Sequence, residues 1–327
     1  MAEQVKLGLI GTGGIMHSHV GQLLEVREAA ISALTDPDPS RIERLKRHFP
    51  PLADCPTYDG HARMLADAEL DAVLIASPHN VHCQQIVDSL RAGLHVLTEK
   101  PMVCSIEDAH KVMEEEKKAG KLVGISYQRH TQGEFRFIRK QIEGGAAGEV
   151  QFVSAFQGQN WMKGTAGSWR QVHEISCGGQ LNDSGSHLID IILWVTGLAP
   201  RKVSAEIESF DCEVDINSAL AVEFTNGALA TIAVVGNCPM WWEDITISCS
   251  EWTFFVRQGQ LTYCTGGRAE VLSLQSTHYG SRNADQNFVN AVLGREEVLA
   301  PSICGLRTIE LTEAAWKSGE TGKPVLL

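Results

Sequence analysis

The chain has 327 residues, an apolar fraction of 43% and a formal net charge of −12, a length that predicts two domains rather than one core. The acidic balance, without a long block of Lys or Arg, argues against a nucleic-acid or anionic-membrane partner. Nine cysteines with no C-x-x-C pair predict reduced thiols in a cytoplasmic protein rather than a disulfide framework, and no metal site.

The N-terminus lacks the basic-then-apolar form of a signal peptide. An apolar run, Val5 to Ile10, empties into Gly11, Gly13 and Gly14, and an apolar-periodic segment follows. Strand, tight turn and helix in that order suit a dinucleotide pyrophosphate at the helix N-terminus, with Gly11, Gly13, Gly14 and Ile15 as its contacts. The third glycine of G-x-G-x-x-G is replaced by Met16. That glycine serves helix–strand packing, so the expected effect is a slightly displaced helix rather than a lost phosphate contact. His17 and His19, two apart on a helix, point away from each other and read as polar groups near its start rather than as metal ligands.

"AAISALTD" is the second strand, and its terminal Asp36 stands 20 residues past Met16, where a carboxylate grips ribose hydroxyls and repels a 2′-phosphate. This favours NAD over NADP, a preference that Arg41 weakens. Asp38 reads as the N-cap of a helix with Pro39 at its first position, running to about Phe49. "DAVLIAS", a helix over 81–92, "LHVLTEK", the amphipathic "IEDAHKVMEEEKKAG" and "KLVGISY" continue the alternation, so the first domain is a doubly wound parallel sheet. Lys100, in "LTEKPM", ends a strand of that sheet, where ligands bind.

A helix over 133–143, the strand "GEVQFVSAFQGQN", a Trp- and Gly-rich loop and a helix over 182–195 come next. That last helix contains "LIDIILWVTGLA", which is too short to span a bilayer and carries Asp190. Strand-like runs then fill 201–264, with a hairpin signal at Asn226-Gly227, before helices over 284–293 and 302–318. The second domain is therefore α+β with a large, mostly antiparallel open sheet, and the boundary falls at 127/128.

Asp183 and His187, four apart on the expected helix, share a face that Asp190 joins, an arrangement suited to a general base near neutrality. Lys100 would steady the developing oxyanion of an alcohol under oxidation. The glycine turn, "DAVLIASPHNVHCQQIVDSLRAGLHVLTEKPM", "SYQRHTQGEFRFIRKQIEGGAAGEVQF" and "GGQLNDSGSHLIDIILWVTG" together resemble the glucose–fructose oxidoreductase, inositol dehydrogenase and rhizopine-catabolism (Gfo/Idh/MocA) superfamily. The resemblance runs through nearly the whole length. Met16 is its departure, because small residues are usual there.

The resemblance implies an NAD(P)-dependent dehydrogenase acting on a secondary alcohol of a sugar or polyol. Its catalytic set is Lys100, Asp183 and His187, with His187 as acid/base and Asp183 orienting it. Ser77, Pro78, Asn80, Glu99 and Lys100 become cofactor contacts, and a cis bond before Pro101 is common. Arg129 matches a substrate position, in a run where Tyr127, Gln128 and His130 are also candidates. The loop after the long strand offers Trp161, Trp169, Arg170, Lys163 and His173, with stacking of tryptophans on a sugar ring as one role and structure as the other. His278 and Tyr279 are weaker candidates. A homo-dimer or homo-tetramer through the second domain's open sheet is implied, with Trp241 and Trp242 either in it or in the core. Two alternatives on the same fold are an NAD-dependent glycosidase using transient oxidation and a non-catalytic nucleotide sensor.

Overall fold

The computed structural model describes residues 4–272 and 279–327. Six strands alternate with helices in its first part: β1 (Val5–Ile10), α1 (Gly14–Leu24), β2 (Ala29–Thr35), α2 (Pro39–His48), β3 (Thr57–Tyr58), α3 (His61–Asp67), β4 (Ala72–Ile75), α4 (His82–Arg91), β5 (His95–Thr98), α5 (Ile106–Ala119) and β6 (Val123–Ile125). They form a parallel sheet in the order β3-β2-β1-β4-β5-β6. Local chemistry fits each boundary. Asp38 caps α2 through Ser40 N at 3.0 Å with Pro39 in the first turn, and Gly120 ends α5 at φ +62°.

The second part runs α6 (Gly133–Glu143), β7 (Val150–Asn160), α7 (Trp161–Gly164), α8 (His173–Ser176), α9 (Gly185–Thr196), β8 (Pro200–Glu208), β9 (Asn217–Phe224), β10 (Leu229–Val235), β11 (Asn237–Cys249), β12 (Trp252–Arg257), β13 (Gln260–Thr265), β14 (Arg268–Val271), α10 (Ala284–Val292), α11 (Ser302–Thr321) and β15 (Val325–Leu326). Among the described residues its sheet has nine strands, ordered β14-β13-β12-β11-β7-β10-β9-β8-β15, antiparallel except where β7 lies beside β10. Asn226-Gly227 makes the predicted hairpin, with Gly227 at φ +87°. The run "WTFFVRQGQLTY" divides at Gln258 and Gly259, whose φ angles of +49° and +75° turn the chain. No described helix is long and apolar enough to cross a membrane.

The chain forms two compact units whose sequence limits differ from the expected 127/128 division. One comprises the chain up to Val103, Glu107–Gln128 and Gly280–Gly305; the other comprises Cys104–Ile106, Arg129–Tyr279 and Leu306–Leu327. The C-terminal return has a packing reason: Phe288 and Val289 of α10 are buried in the first core with Leu7, Leu9 and Leu97. In the second unit α9 is apolar on most sides, and Leu188, Ile189, Ile191 and Ile192 are buried with Val153 of β7, Leu220 of β9 and Ile232 of β10.

The cysteine expectation needs one correction. Cys104 and Cys177, 73 residues apart in sequence, are joined by a disulfide with a Cα–Cα distance of 5.6 Å. The other seven take part in no disulfide.

Met16 is fully buried among Leu7, Leu9, Val20 and Leu23, so its side chain fills the first core. It replaces the missing glycine as a packing element. Met16→Gly is therefore expected to destabilise the protein by about 3–5 kcal/mol in urea unfolding, combining a core cavity with a helical glycine, rather than to tighten cofactor binding.

Candidate active site

Gly11, at φ +83°, has no room for a side chain, since a Cβ would lie 2.8 Å from both C and O of Ala76 and 2.9 Å from Ser77 N. The turn after β1 thus touches the turn after β4. A Cβ on Gly13 or Gly14 would meet nothing within 4 Å, and Gly13 caps α1 without a side-chain bond. Unshielded helix N–H groups beside open space suit a pyrophosphate. Ile15 is exposed in the first turn. Asp36 is buried; its Oδ2 accepts from Thr12 N at 2.7 Å and Thr12 Oγ1 at 3.2 Å, and its Oδ1 accepts from Asp38 N at 2.9 Å. The carboxylate therefore also shapes the glycine turn.

Register places the ends of β1, β4 and β5 side by side, pairing Ile10 with Ile75 and Ile75 with Thr98. This brings Gly11, Ser77, Pro78, Asn80, Glu99 and Lys100 to the carboxyl end of the sheet. The Lys100–Pro101 peptide is cis, as the resemblance implies. His82, wholly buried, spans two loops there, with Nδ1 2.9 Å from Pro101 O and Nε2 2.9 Å from Ser77 O. Burial lowers its pKa.

Sequence reasoning missed the role of His19. The ring is buried, with Nδ1 2.8 Å from Asp285 Oδ1 and Nε2 2.9 Å from Glu99 Oε1. Burial works against its charged form, but the Asp285 and Glu99 carboxylates outweigh it and raise the pKa to about 10. A usable signal was present: His19 lies three positions after Met16, on the face of α1 that also buries Val20 and Leu23. A histidine on such a face needs a partner, but only the fold identifies Asp285.

The second unit holds the other candidates, several in unexpected roles. Helix α9 begins at Gly185, so Asp183 lies in the preceding turn and does not share a helical face with His187. The turn has its own scaffold. Asp215 Oδ1 accepts from Gly179 N at 2.8 Å and Trp316 Nε1 at 2.9 Å, while its Oδ2 accepts from Leu181 N at 2.7 Å. A Cβ on Gly179 would fall 1.8 Å from Asp215 O. Asp183 N then donates to Gly179 O at 2.9 Å.

The Asp183 carboxylate accepts from Trp161 Nε1 at 2.8 Å and Arg170 Nε at 3.1 Å. His187 is half-buried in the first turn of α9. Asp190 pairs with His130 Nε2 at 2.7 Å, deep in the core, where burial raises its carboxyl above the usual range.

Trp161 is 2% exposed and packed with Val214 and Ile216, so it cannot present a ring face to a sugar. The Arg170 guanidinium lies 4.5 Å from the Trp169 ring centre and covers that face. Arg129 is buried in an ion pair with Glu243, away from the exposed role expected of a substrate contact. With its amide oriented to satisfy both groups, Gln157 accepts from Arg129 Nη2 at 3.1 Å and donates to Ser184 O at 3.2 Å. Tyr127 and His130 are buried while Gln128, Lys163 and His173 are exposed. Tyr279 is partly buried, and His278 lies outside the described residues.

Residues 5–127 match the family described as "Oxidoreductase family, NAD-binding Rossmann fold", and residues 135–255 match "GFO/IDH/MocA C-terminal domain". The chain belongs to the Gfo/Idh/MocA family. It is 31% identical over 196 residues to the rhizopine catabolism protein MocA of Rhizobium meliloti, covering 60% of this chain. Against inositol 2-dehydrogenase of Corynebacterium glutamicum the identity is 29% over 213 residues, covering 64% of this chain. Each match spans 58% of the relative's own length. The fold also superposes on the WlbA dehydrogenase of Bordetella pertussis, solved with NADH and UDP-GlcNAcA, with TM-score 0.86, 23% identity and coverage of 100% of this chain and 98% of that one.

The His19 site of this family member has a pH signature. Its raised pKa means that the folded state holds a proton which the unfolded chain releases near the ordinary histidine value. The stabilisation is complete below about pH 6.5 and is lost as pH rises toward 10, with a slope of roughly 1.4 kcal/mol per pH unit. Urea unfolding of the wild type should show this decline, and His19→Gln should lack that component. Parallel profiles for the two proteins would contradict a charged His19.

Proposed function

We propose that the protein is an NAD-dependent dehydrogenase that oxidises a secondary alcohol of a sugar, polyol or sugar-derived molecule. The observation that carries this reading is the joint presence, in a member of this family, of the Glu99-Lys100-Pro101 strand end and the Asp183/His187 turn and helix, alongside a glycine turn open at a helix N-terminus. The curated relatives include an inositol 2-dehydrogenase, which points to polyols as the substrate class.

Gly11, Gly13, Gly14 and Ile15 would hold the pyrophosphate, Asp36 the adenosine ribose, and Ser77, Pro78, Asn80 and Glu99 the nicotinamide side. When bound, NAD supplies the hydride acceptor. In this reading His187 takes the hydroxyl proton and Lys100 steadies the negative charge that develops on the oxygen. Asp183, whose carboxylate is held by Trp161 and Arg170, is in this proposal the partner of the imidazolium formed on His187. Arg170 is the loop's better candidate for substrate contact, since Trp161 is enclosed. Seven of the nine cysteines lie outside the single disulfide among the described residues, which supports a reducing, cytoplasmic setting.

Self-association through the open face of the nine-stranded sheet belongs to the same proposal. Phe152 and Leu229 are exposed on that face, and Ala219, Ala221 and Ala233 line a shallow cavity of about 560 Å³ there. Trp241 and Trp242 are exposed, which favours an interface over the core for both.

A screen of inositols, sugars and sugar acids with NAD, followed by reduced-nicotinamide absorbance, tests the reaction. His187→Ala should lower turnover on the best substrate about a hundredfold or more while leaving NAD affinity nearly intact. Released reducing sugar without net reduced cofactor would indicate the glycosidase instead. Asp36→Ala should weaken NAD relative to NADP, read as the ratio of kcat/KM for the two cofactors; an unaltered ratio would remove Asp36 from ribose recognition.

A further inference from the structure

Cys104 follows Lys100 by four residues, and Cys177 precedes Asp183 by six. The disulfide between them thus joins the chain just past one proposed catalytic residue to the turn that carries another. The turn is already fixed on its other side, where Asp215 accepts from Gly179 N and Leu181 N. The bond therefore ties position 104 to the start of this turn, ahead of the residues that Asp215 holds.

Two further observations set this pair apart from an ordinary structural bridge. Both cysteines are partly exposed rather than enclosed in the core. Cys177 also closes α8 in the left-handed region, at φ +57° and ψ +28°, a place where the backbone favours glycine. A cysteine there is conformationally disfavoured, and the bond to Cys104 is the contribution that its side chain makes.

We propose that Cys104 and Cys177 are a reversible thiol–disulfide pair whose oxidation stiffens the two catalytic segments. The proposal rests on the reading of Lys100, Asp183 and His187 as the catalytic set. The oxidant is a low-molecular-weight disulfide such as glutathione disulfide. One cysteine thiolate attacks it, forming a mixed disulfide and releasing one glutathione thiolate. The second cysteine thiolate then attacks the protein sulfur of the mixed disulfide and expels the second glutathione thiolate. The protein loses two protons and two electrons, and glutathione disulfide gains the electrons as two thiols. Reduction reverses both exchanges and frees position 104.

The test uses the full-length protein equilibrated in glutathione buffers of graded ratio. Intact-mass analysis with thiol alkylation should show loss of two hydrogens, mapped to Cys104 and Cys177, in the oxidising buffers. Hydrogen–deuterium exchange in peptides covering 100–106 and 177–187 should be slower in the oxidised form, and kcat should be about fivefold higher with NAD affinity changed by less than about twofold, the pattern of better preorganisation. Cys104→Ser should behave as permanently reduced. Cys177→Gly should do the same, and because glycine suits that backbone, misfolding would not account for the result. Failure of the pair to oxidise in any buffer, or equal exchange in both forms, would overturn the proposal. Equal kcat in the two forms would do so as well. If no substrate turns over, the dehydrogenase reading fails on its own, and mass and exchange still decide whether the pair exists and stiffens these segments.

Discussion

The arrangement of the first unit depends on one buried charge. His19 lies on the glycine-turn helix, Glu99 at the end of β5 beside Lys100, and Asp285 at the start of α10, more than 180 residues further along. Two carboxylates and one imidazole placed in a dry interior would be costly unless the ring carries a proton and bonds to both. That requirement fixes α1 against β5 and draws α10 into the first core, where Phe288 and Val289 complete the packing. The open helix end and the strand end bearing Lys100 are consequently parts of one braced edge. Asp36 reinforces it from the other side by holding Thr12 in the turn.

The second unit solves a similar problem with different chemistry. A turn that opens with two adjacent glycines, Gly178 and Gly179, has little intrinsic stiffness, yet it must present Asp183. Asp215 supplies the rigidity by accepting two backbone N–H groups and an indole N–H, and its own carbonyl packs so closely over Gly179 that no side chain fits. Trp161 and Arg170 then orient the Asp183 carboxylate from the loop after β7. The tryptophans and arginines that look like ligand contacts in the sequence spend much of their chemistry on this scaffold. Arg129 illustrates it well: its charge is neutralised by Glu243 and linked through Gln157 to the backbone of Ser184.

Local signals identified most elements. The alternation of apolar runs and helical periodicity through Tyr127, the Asp38-Pro39 cap, the Asn226-Gly227 hairpin and the helix over 133–143 are all governed by nearest neighbours in sequence, and they appear where local propensity places them. The start of α9 does not. Residues 182–184 have a helical pattern, but hydrogen bonds from Gly179 and Leu181 to Asp215 hold the turn outside the helix, and such bonds leave no local trace. The return of 280–305 to the first unit leaves no local trace for the same reason, since α10 is an ordinary amphipathic helix whose partner is set by burial of Phe288 and by a carboxylate–imidazole pair.

By itself, the sequence determined the fold class, the family and the residue types available for hydride-transfer chemistry, because periodicity, glycine turns and short motifs are properties of contiguous residues. Tertiary structure alone decided which partners those residues take: Met16 as core rather than obstacle, His19 as a buried cation, Asp183 bound to Trp161 and Arg170, and Cys104 joined to Cys177. Burial and hydrogen-bond satisfaction depend on groups distant in the chain, so they are settled only once the chain has closed around them.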